Sequence, residues 1–445
     1  MARELNVWFF GECVGVLTQD EGYLSFRYLP EWLGSKNAKP LSQSLPLRTE
    51  SFDDKIAKPF FAGLLPEGDK RTAVANILKV SSKNDFALLD GIGGECAGAL
   101  ILLEPGQTPP VEAHASDSIE WLEEDQLITV LEMLPKRPLL AGESGLRLSL
   151  AGAQEKLPVV VREVEGKDGL SHFEIGLPKN NIPSSYILKP EISGVDGSVY
   201  NEAFCLALAR ELKLDAATAK IGRTKDKTYL LVERYDRFLD DGQLRRLHQE
   251  DFCQALGVAP ELKYQNEGGP TISDGFALVR KVTTPSAPNL LRLLDYIIFN
   301  CLVGNNDAHA KNFSLLYSQS GIQLAPLYDV LSTAVYPDLT DRMAMKIGSK
   351  YRFDELHARH WVQMAEAAQL GAPQLKRRVL EIAGLLPNLS QSLHTKFKAK
   401  GWDHPMVLWY QMGWADYDGG WMLDGFPDAD LNPTHWMSLP TPPAL

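Results

Sequence analysis

A loop motif, GNNDAHAKNF, occupies residues 304–313, directly after an apolar segment (residues 289–303) whose spacing predicts a helix. Gly304 suits the left-handed conformation that commonly ends a helix. Asp307 and Asn312 are five residues apart. The same interval separates the base from a metal-binding asparagine in the catalytic loop of phosphoryl-transfer enzymes. The motif therefore predicts a phosphoryl-transfer site in a helical part of the chain.

The polar residues of this region each have a definable task in that chemistry. Mg²⁺ prefers oxygen ligands, so Asn312 and a second carboxylate, Asp329, are the expected metal ligands. Asp307 is the candidate base that orients an attacking hydroxyl and accepts its proton. Asp and Asn also favour turns after helices, but three of them at these intervals favour catalysis. His309 and Lys311 are weaker candidates, because a single His or Lys in a loop is as often solvated.

Three features upstream follow the order of a protein kinase. Residues 149–156, SLAGAQEK, offer small residues whose amides can approach phosphate oxygens, although they match neither G-x-G-x-x-G nor a P-loop. Lys189 ends a predicted strand, and Glu202 follows 13 residues later in a predicted helix. A phosphate-binding lysine and the acid that holds it occur in this order in protein kinases. Residues 233–235 form a connector that could offer backbone groups to an adenine. Taken singly, the first two features also fit a plain turn and a surface ion pair.

Composition and charge narrow the classes of protein. The 445 residues contain 45 Lys plus Arg and 57 Asp plus Glu, a net charge of −12 that disfavours autonomous nucleic-acid binding. Five scattered cysteines without a Cys-x-x-Cys pair predict reduced thiols in a cytoplasmic protein. The N-terminus lacks the pattern of a secretory signal, and the richest apolar segment is too short and too charged to span a membrane. No membrane association is expected.

The pattern of predicted elements gives an α+β chain in five parts. These are an N-terminal α+β subdomain (1–110), a linker with a bridging helix (111–143), a β-rich nucleotide-binding lobe (144–240), a helical catalytic lobe (241–400) and a Trp-rich tail (401–445). The bridging helix is predicted over 119–134, and a helix of the β-rich lobe over 201–212 with Asn201 as its N-cap. The tail holds five of the nine tryptophans, which predict either anchors on the large lobe or a partner-binding segment.

The order of these features is that of a protein-kinase-like fold with a β-rich small lobe and a helical large lobe. The features are a Gly-containing turn, a lysine on a strand, a glutamate on a helix, a connector, the Asp-x4-Asn motif and a further Asp. Residues 149–156, 306–313 and 326–329, with the N-terminal stretches LSQSLPL (41–47) and FAGLLPE (61–67), resemble the HipA family of bacterial toxin kinases. The likeness runs from about residue 6 to beyond residue 386.

The resemblance implies a non-specific serine/threonine protein kinase that uses ATP and Mg²⁺, with Asp307 as base and Asn312 and Asp329 on the metal. The ATP-binding residues that it implies are Ala151, Gly152, Ala153, Gln154, Glu155, Lys156, Lys189, Glu233, Arg234, Tyr235, His309, Ala310, Lys311, Asn312, Tyr328 and Asp329. Ser149 matches the serine that such kinases phosphorylate in themselves, a modification that ejects the phosphate loop and silences the enzyme. A phosphate adds about −2 charges beside a loop meant for ATP.

The resemblance also implies partners. Family members pair with a helix-turn-helix antitoxin of the HipB kind that binds operator DNA, and this partner would supply the basic surface that an acidic chain lacks. DNA contact is therefore expected mainly through the antitoxin. The implied substrate is a cytosolic protein, with glutamate–tRNA ligase as the best-known example, and its phosphorylation arrests growth and promotes persistence. Two alternatives stay open: a small-molecule kinase and a catalytically idle co-repressor.

Overall fold

The computed structural model describes residues 2–110, 118–165, 171–318, 320–402 and 404. The chain divides into two compact units, each assembled from separate parts of the sequence. Unit 1 contains Met1–Pro190, Lys220–Glu261 and Ser314–Ser320. Unit 2 contains Glu191–Ala219, Leu262–Phe313 and the chain from Gly321 onward.

The described residues form both strands and helices, in runs of up to several elements of one kind. The strands are β1 Arg3–Phe9, β2 Glu12–Asp20, β3 Tyr23–Tyr28, β4 Leu100–Leu103, β5 Ile119–Trp121, β6 Leu157–Glu165, β7 Ser171–Pro178, β8 Tyr186–Pro190, β9 Ala219–Thr224, β10 Lys227–Glu233, β11 Arg237–Asp240, β12 Gln243–Arg246, β13 His248–Asp251, β14 Ser314–Ser318 and β15 Gly321–Leu324. The helices are α1 Pro30–Leu33, α2 Asp54–Ala62, α3 Gly68–Leu78, α4 Asp85–Ile92, α5 Glu124–Met133, α6 Ser198–Glu211, α7 Phe252–Leu256, α8 Ile272–Val282, α9 Ser286–Leu302, α10 Ala358–Ala367 and α11 Ala372–Ala399. The predicted α+β class is confirmed.

Unit 1 is built on two larger sheets. The N-terminal sheet has the strand order β3-β2-β1-β4, and the second sheet has the order β5-β7-β6-β8-β10-β9. In β1, the alternate residues Leu5, Val7 and Phe9 are buried, as expected for a strand with one face on a core. One hydrophobic cluster includes residues of both sheets, among them Leu188 and Leu231 of the second. Both sheets of unit 1 therefore contribute to one continuous apolar core.

Unit 2 is mainly helical. Helices α8, α9, α10 and α11 pack against one another, and α6 packs against α11, where Phe204 and Phe397 meet edge to face with ring centroids 5.2 Å apart. Trp361 on α10 is fully buried. Helix α9 ends at Leu302, and Gly304 adopts φ +71°, so the left-handed glycine after this helix is confirmed. The GNNDAHAKNF motif follows this helix, and Asp307 is its one exposed residue.

Three sequence-based expectations about elements are wrong. The helix over 119–134 is a strand, β5, followed by α5, because Glu123 and Gln126 form a reciprocal capping box that starts the helix at Glu124. Asn201 is not an N-cap, since α6 begins at Ser198 after a left-handed Gly197. Asn201 is buried and exchanges two hydrogen bonds with the backbone of Ser332, of 2.9 and 3.0 Å. Beyond residue 241 the expected helical lobe also contains three strands that were not predicted, β12, β13 and β14.

Several further expectations can be compared with the described residues. No helix among them is both long enough and apolar enough to cross a membrane. None of the five cysteines forms a disulfide, and four of the five are buried. The Trp-rich tail lies outside the described residues from position 405 onward, so its two interpretations stay open.

Candidate active site

The candidate phosphate loop, residues 151–156, lies directly before β6 in unit 1. Gly152 has φ +108°, a conformation that residues with a side chain rarely adopt. A Cβ at this position would lie 2.7 Å from Lys156 Nζ, which donates a hydrogen bond of 2.8 Å to the Ala151 carbonyl. The glycine therefore gives the lysine ammonium room to fold over the loop. A small residue with an ammonium beside it suits a phosphate group.

Ser149, two residues before this loop, is completely buried. Its hydroxyl donates a hydrogen bond of 2.7 Å to the Leu64 carbonyl, and its backbone N–H donates one of 2.9 Å to the Glu95 carbonyl. A phosphate on this hydroxyl would remove the donor and introduce a charge at a site without solvent. Phosphorylation of Ser149 therefore requires the segment to leave this position.

The other predicted residues of unit 1 lie on or after its second sheet. Lys189 is buried in β8, opposite Leu230 of β10. Glu233 ends β10 and is exposed. The Tyr235 hydroxyl bonds to Gln249. The side chain of Arg234 points into an ionic cluster, and its backbone N–H donates a hydrogen bond of 3.0 Å to the Ser185 carbonyl.

That ionic cluster was not predicted from the sequence. Its five members are Glu95, Arg234, Asp236, Arg237 and Arg246. Burial alone would raise the pKa of Glu95, but the three arginines outweigh it and hold the pKa at about 2. Glu95 also receives hydrogen bonds of 3.0 Å from the N–H and the hydroxyl of Ser184. Because the Glu95 carbonyl binds the Ser149 N–H, the cluster lies directly behind the start of the phosphate loop.

The catalytic loop, residues 304–313, holds Asp307 exposed at the surface of unit 2. Its backbone is fixed locally: Asp307 N–H donates to Asn305 Oδ1 at 3.0 Å, and His309 N–H donates to the Asp307 carbonyl at 2.8 Å. The Tyr264 hydroxyl donates to Asp307 Oδ1 at 2.7 Å. This hydrogen bond fixes one oxygen of the exposed carboxylate and so orients the other, Oδ2.

Neutral groups from elsewhere in unit 2 complete the anchoring of this loop. Asn306 N–H donates to Thr333 Oγ1 at 2.7 Å, and its side-chain amide donates to the Thr340 carbonyl at 3.0 Å. Ala344 N–H donates to the Asn306 carbonyl at 2.8 Å. Ala310 N–H donates to the Lys263 carbonyl at 3.3 Å. These four contacts of the loop are all made by neutral groups.

Asn312 and Asp329 are brought together in unit 2. The Asn312 side-chain amide donates to the Asp329 carbonyl at 3.3 Å, and Asp329 has φ +57°, which is uncommon for a residue other than glycine. Asn312 Oδ1 is buried and has no hydrogen-bond partner among the described residues. A buried, unsatisfied oxygen beside a carboxylate residue suits a hard cation.

No group of three or more His, Cys, Asp or Glu residues that could hold a metal occurs in the part of the chain that the structure describes. A cation at Asn312 and Asp329 would therefore need ligands from a bound phosphate, which is how Mg²⁺ commonly binds in kinases.

The remaining predicted residues of unit 2 surround these groups. His309 is buried, with its ring edge-on to Tyr264 and ring centroids 5.3 Å apart. Lys311 is buried, and its carbonyl accepts a hydrogen bond of 2.7 Å from the Tyr328 hydroxyl. Glu202 is buried in α6. Unit 2 therefore brings the predicted base, the two predicted metal ligands and Tyr328 into one connected region.

Tyr264 was missed in the sequence, although a signal accompanies it. It belongs to KYQNEGGP (263–270), where a Cβ on Gly269 would lie 1.9 Å from the Leu262 carbonyl. A glycine pair after an aromatic residue marks a tight backbone approach, but nothing local says that the tyrosine meets Asp307, 43 residues later.

Comparison with known proteins extends over both units. The HipA N-terminal domain matches residues 5–103, and the HipA-like C-terminal domain matches residues 148–388. The protein Y4mE of Sinorhizobium fredii is 48% identical over 383 residues, which are 85% of this chain and 89% of that protein. The serine/threonine-protein kinase toxin HipA of Shewanella oneidensis is 29% identical over 373 residues, 81% of this chain and 82% of that one.

The fold is also found in a solved structure. HipA of Shewanella oneidensis, crystallised with HipB and its operator DNA, superposes with a TM-score of 0.76 at 26% identity, over 92% of this chain and 95% of that chain. The predicted kinase-like α+β fold is confirmed by this match. With the domain match over more than half of its length, the chain belongs to the HipA family of kinases.

Proposed function

We propose that the chain is a toxin kinase that transfers the γ-phosphoryl group of ATP to a serine or threonine hydroxyl of a cytosolic protein. The observation that carries this proposal is the arrangement in unit 2, where an exposed Asp307 carboxylate is oriented by Tyr264 and the unsatisfied Oδ1 of Asn312 lies beside Asp329. The relation to the HipA kinase toxin over four fifths of the chain supports it.

In this proposal each residue has a defined task. Asp307 Oδ2 accepts the proton of the attacking hydroxyl. Asn312 Oδ1 and the Asp329 carboxylate hold Mg²⁺, which neutralises charge on the phosphates when it is bound. Gly152 and Lys156 receive phosphate oxygens in the phosphate loop. The remaining ATP contacts are those that the family resemblance implies, at Lys189, at residues 233–235 and around Tyr328.

Self-phosphorylation of Ser149 is part of the proposal. The serine is buried and its hydroxyl donates to the Leu64 carbonyl, so the unmodified segment is held in place. A phosphate of about −2 charges cannot be accommodated there without solvent or new cationic partners. Modification would therefore expel residue 149 together with the phosphate loop, which accounts for silencing.

We propose a helix-turn-helix antitoxin as the partner that restrains the kinase and carries it to operator DNA. The complex in which the Shewanella HipA was crystallised supports this assignment. The net charge of −12 is consistent with DNA contact made mainly by the partner. The proposed outcome of target phosphorylation is growth arrest and persistence, with glutamate–tRNA ligase as the first substrate to test.

The test is incubation of the purified chain with radiolabelled ATP and Mg²⁺, with and without glutamate–tRNA ligase, followed by phosphopeptide mapping. We expect label at Ser149 and on a protein substrate, and at least a ~10²-fold loss in Asp307→Asn. ATP turnover with a metabolite and no phosphoprotein would instead indicate a small-molecule kinase. Operator binding with the antitoxin that survives Asp307→Ala and Asp329→Ala, without any ATP turnover, would indicate an idle co-repressor.

A further inference from the structure

One segment of the N-terminal domain makes successive contacts with the start of the kinase domain. This bed segment, residues 64–70 (LLPEGDK), includes part of the FAGLLPE stretch. The Leu64 carbonyl accepts the hydroxyl of Ser149, and Pro66 forms a parallel bridge with Gly152. Glu67 N–H donates to the Gly152 carbonyl at 3.2 Å. The bed segment thus follows the chain from Ser149 into the phosphate loop.

The last contact of the bed segment is ionic. Lys70 Nζ pairs with the Glu155 carboxylate, and their side chains are only 19% and 10% exposed. An ion pair that is largely shielded from water is weakened less by salt than an exposed pair. Because Glu155 lies inside the phosphate loop, the pair joins the loop's far end to helix α3.

The bed segment is itself anchored. Arg71, the next residue on α3, pairs with Asp85 of α4 and donates a hydrogen bond of 2.6 Å to the Ser82 carbonyl. The bed therefore has its own connection to the core of the N-terminal domain. A loop that rests on such a bed does not have to be ordered by the nucleotide, which lowers the entropic cost of binding.

We infer that the bed segment is a positioning element for ATP: residues 64–70 hold the phosphate loop in its nucleotide-binding conformation, and the Lys70–Glu155 pair closes the far end. This gives the N-terminal domain a role in nucleotide affinity, and Lys70 acts through Glu155 without contacting ATP. The inference rests on the proposed function only in taking ATP as the ligand of the loop.

The experiment is a double-mutant cycle with Lys70→Met, Glu155→Gln and the double variant in the full chain. Amide hydrogen exchange at residues 151–156 is measured without nucleotide, and KM for ATP and kcat are measured separately. Each single variant should speed exchange in the loop and raise KM roughly 3- to 10-fold with a smaller change in kcat. The double variant should resemble the worse single variant, since one interaction is lost in all three.

The matched control is Lys225→Met, which breaks the exposed Lys225–Asp125 pair elsewhere in unit 1. It should leave both exchange in the loop and KM for ATP unchanged. Additive effects of Lys70→Met and Glu155→Gln, or loop exchange unaltered by Lys70→Met, would overturn the inference. A wild-type chain that binds no ATP would refute the proposed function instead, because the exchange measurement needs no nucleotide.

Discussion

The phosphate loop of unit 1 and the catalytic loop of unit 2 are both anchored by residues distant in sequence, but the anchoring groups differ in charge. Lys70, Glu155 and Lys156 hold the phosphate loop, and the buried ionic cluster lies behind it. Amides, hydroxyls and backbone groups hold the catalytic loop. In the second case the side-chain contact of Asp307 is a neutral hydroxyl, that of Tyr264. Because charged groups anchor the first loop, its anchoring depends on pH and salt.

The largest effect is expected from Glu95→Gln, which breaks the charged side of this comparison. Glu95 is completely buried, and its loss leaves three arginines with Asp236 as the single remaining acid of the cluster. Removing one partner of a buried ion pair costs about 3–5 kcal/mol. The free energy of unfolding in urea should fall by that amount. Arg162→Gln, which breaks the exposed Arg162–Glu174 pair, should cost less than about 1 kcal/mol.

The same glutamate fixes the response to acid. Because the pKa of Glu95 is lowered to about 2, its contribution is fully present above its ordinary value of 4.5 and is lost as the pH falls toward 2. The wild-type chain should lose stability in this window, and Glu95→Gln should lose less. An equal loss of stability in acid in the two proteins would show that Glu95 does not cause this loss.

Glu250 sharpens the comparison, because it is equally buried in unit 1 but has neutral partners. Ser42 and Tyr317 donate their hydroxyls to it, and Gln43 N–H donates at 3.1 Å. Burial raises its pKa to about 7 against these donors. Its contribution to stability is therefore present below pH 4.5 and is lost as the pH rises through about 7. The free energy of unfolding should therefore be higher below pH 4.5 than above pH 7 by an amount of order 3 kcal/mol.

Glu250→Gln should flatten the decline of unfolding free energy between these pH values, since glutamine does not ionise. Urea unfolding at several pH values measures this. A decline that persists in the variant would assign it to another group. If the decline is flattened as expected, the pH dependences of Glu95 and Glu250 have opposite signs. That difference separates the effect of cationic partners from the effect of burial.

Asn305→Ala tests the neutral side of the comparison. The buried Asn305 accepts from Asp307 N–H and donates to Asn300 Oδ1 at 2.7 Å. Losing both bonds should cost about 2 kcal/mol of unfolding free energy and lower turnover, because the backbone of the base is released. The cost should be the same at low and high salt. A cost that shrinks with salt would contradict the description of this loop as neutrally anchored.

Much of the catalytic loop could be predicted from the sequence because its parts are close together. The helix end at Gly304 and the five-residue interval from Asp307 to Asn312 are local signals, and unit 2 brings the proposed base and the two proposed metal ligands into one region. In the second sheet, the strand that contains Lys189, β8, was predicted in the same way, whereas β5 was predicted as part of a helix.

The anchoring of both loops could not be predicted. Glu95 meets Arg234, 139 residues later, and Lys70 meets Glu155, 85 residues later. Charged residues usually indicate a solvated surface, so nothing local distinguished these from exposed ones. The errors at Asn201 and at residues 119–123 have a related cause, because tertiary hydrogen bonds and a cap decided what side-chain spacing did not.

The smallest effect is expected from Tyr264→Phe, which removes only the hydroxyl that holds Asp307 Oδ1. The ring stays against His309, so the fold should be unchanged, but the carboxylate becomes free to rotate. We expect kcat to fall about fivefold to tenfold, equivalent to about 1 kcal/mol, with KM for ATP unchanged. Tyr296→Phe is the control: its hydroxyl donates to the Asp215 carbonyl at 2.6 Å, so its loss should lower stability and leave kcat intact. A rise in kcat for Tyr264→Phe would mean that the tyrosine hydroxyl occupies the position of the substrate hydroxyl. The hydrogen bond to Asp307 would then inhibit the proposed base and not position it.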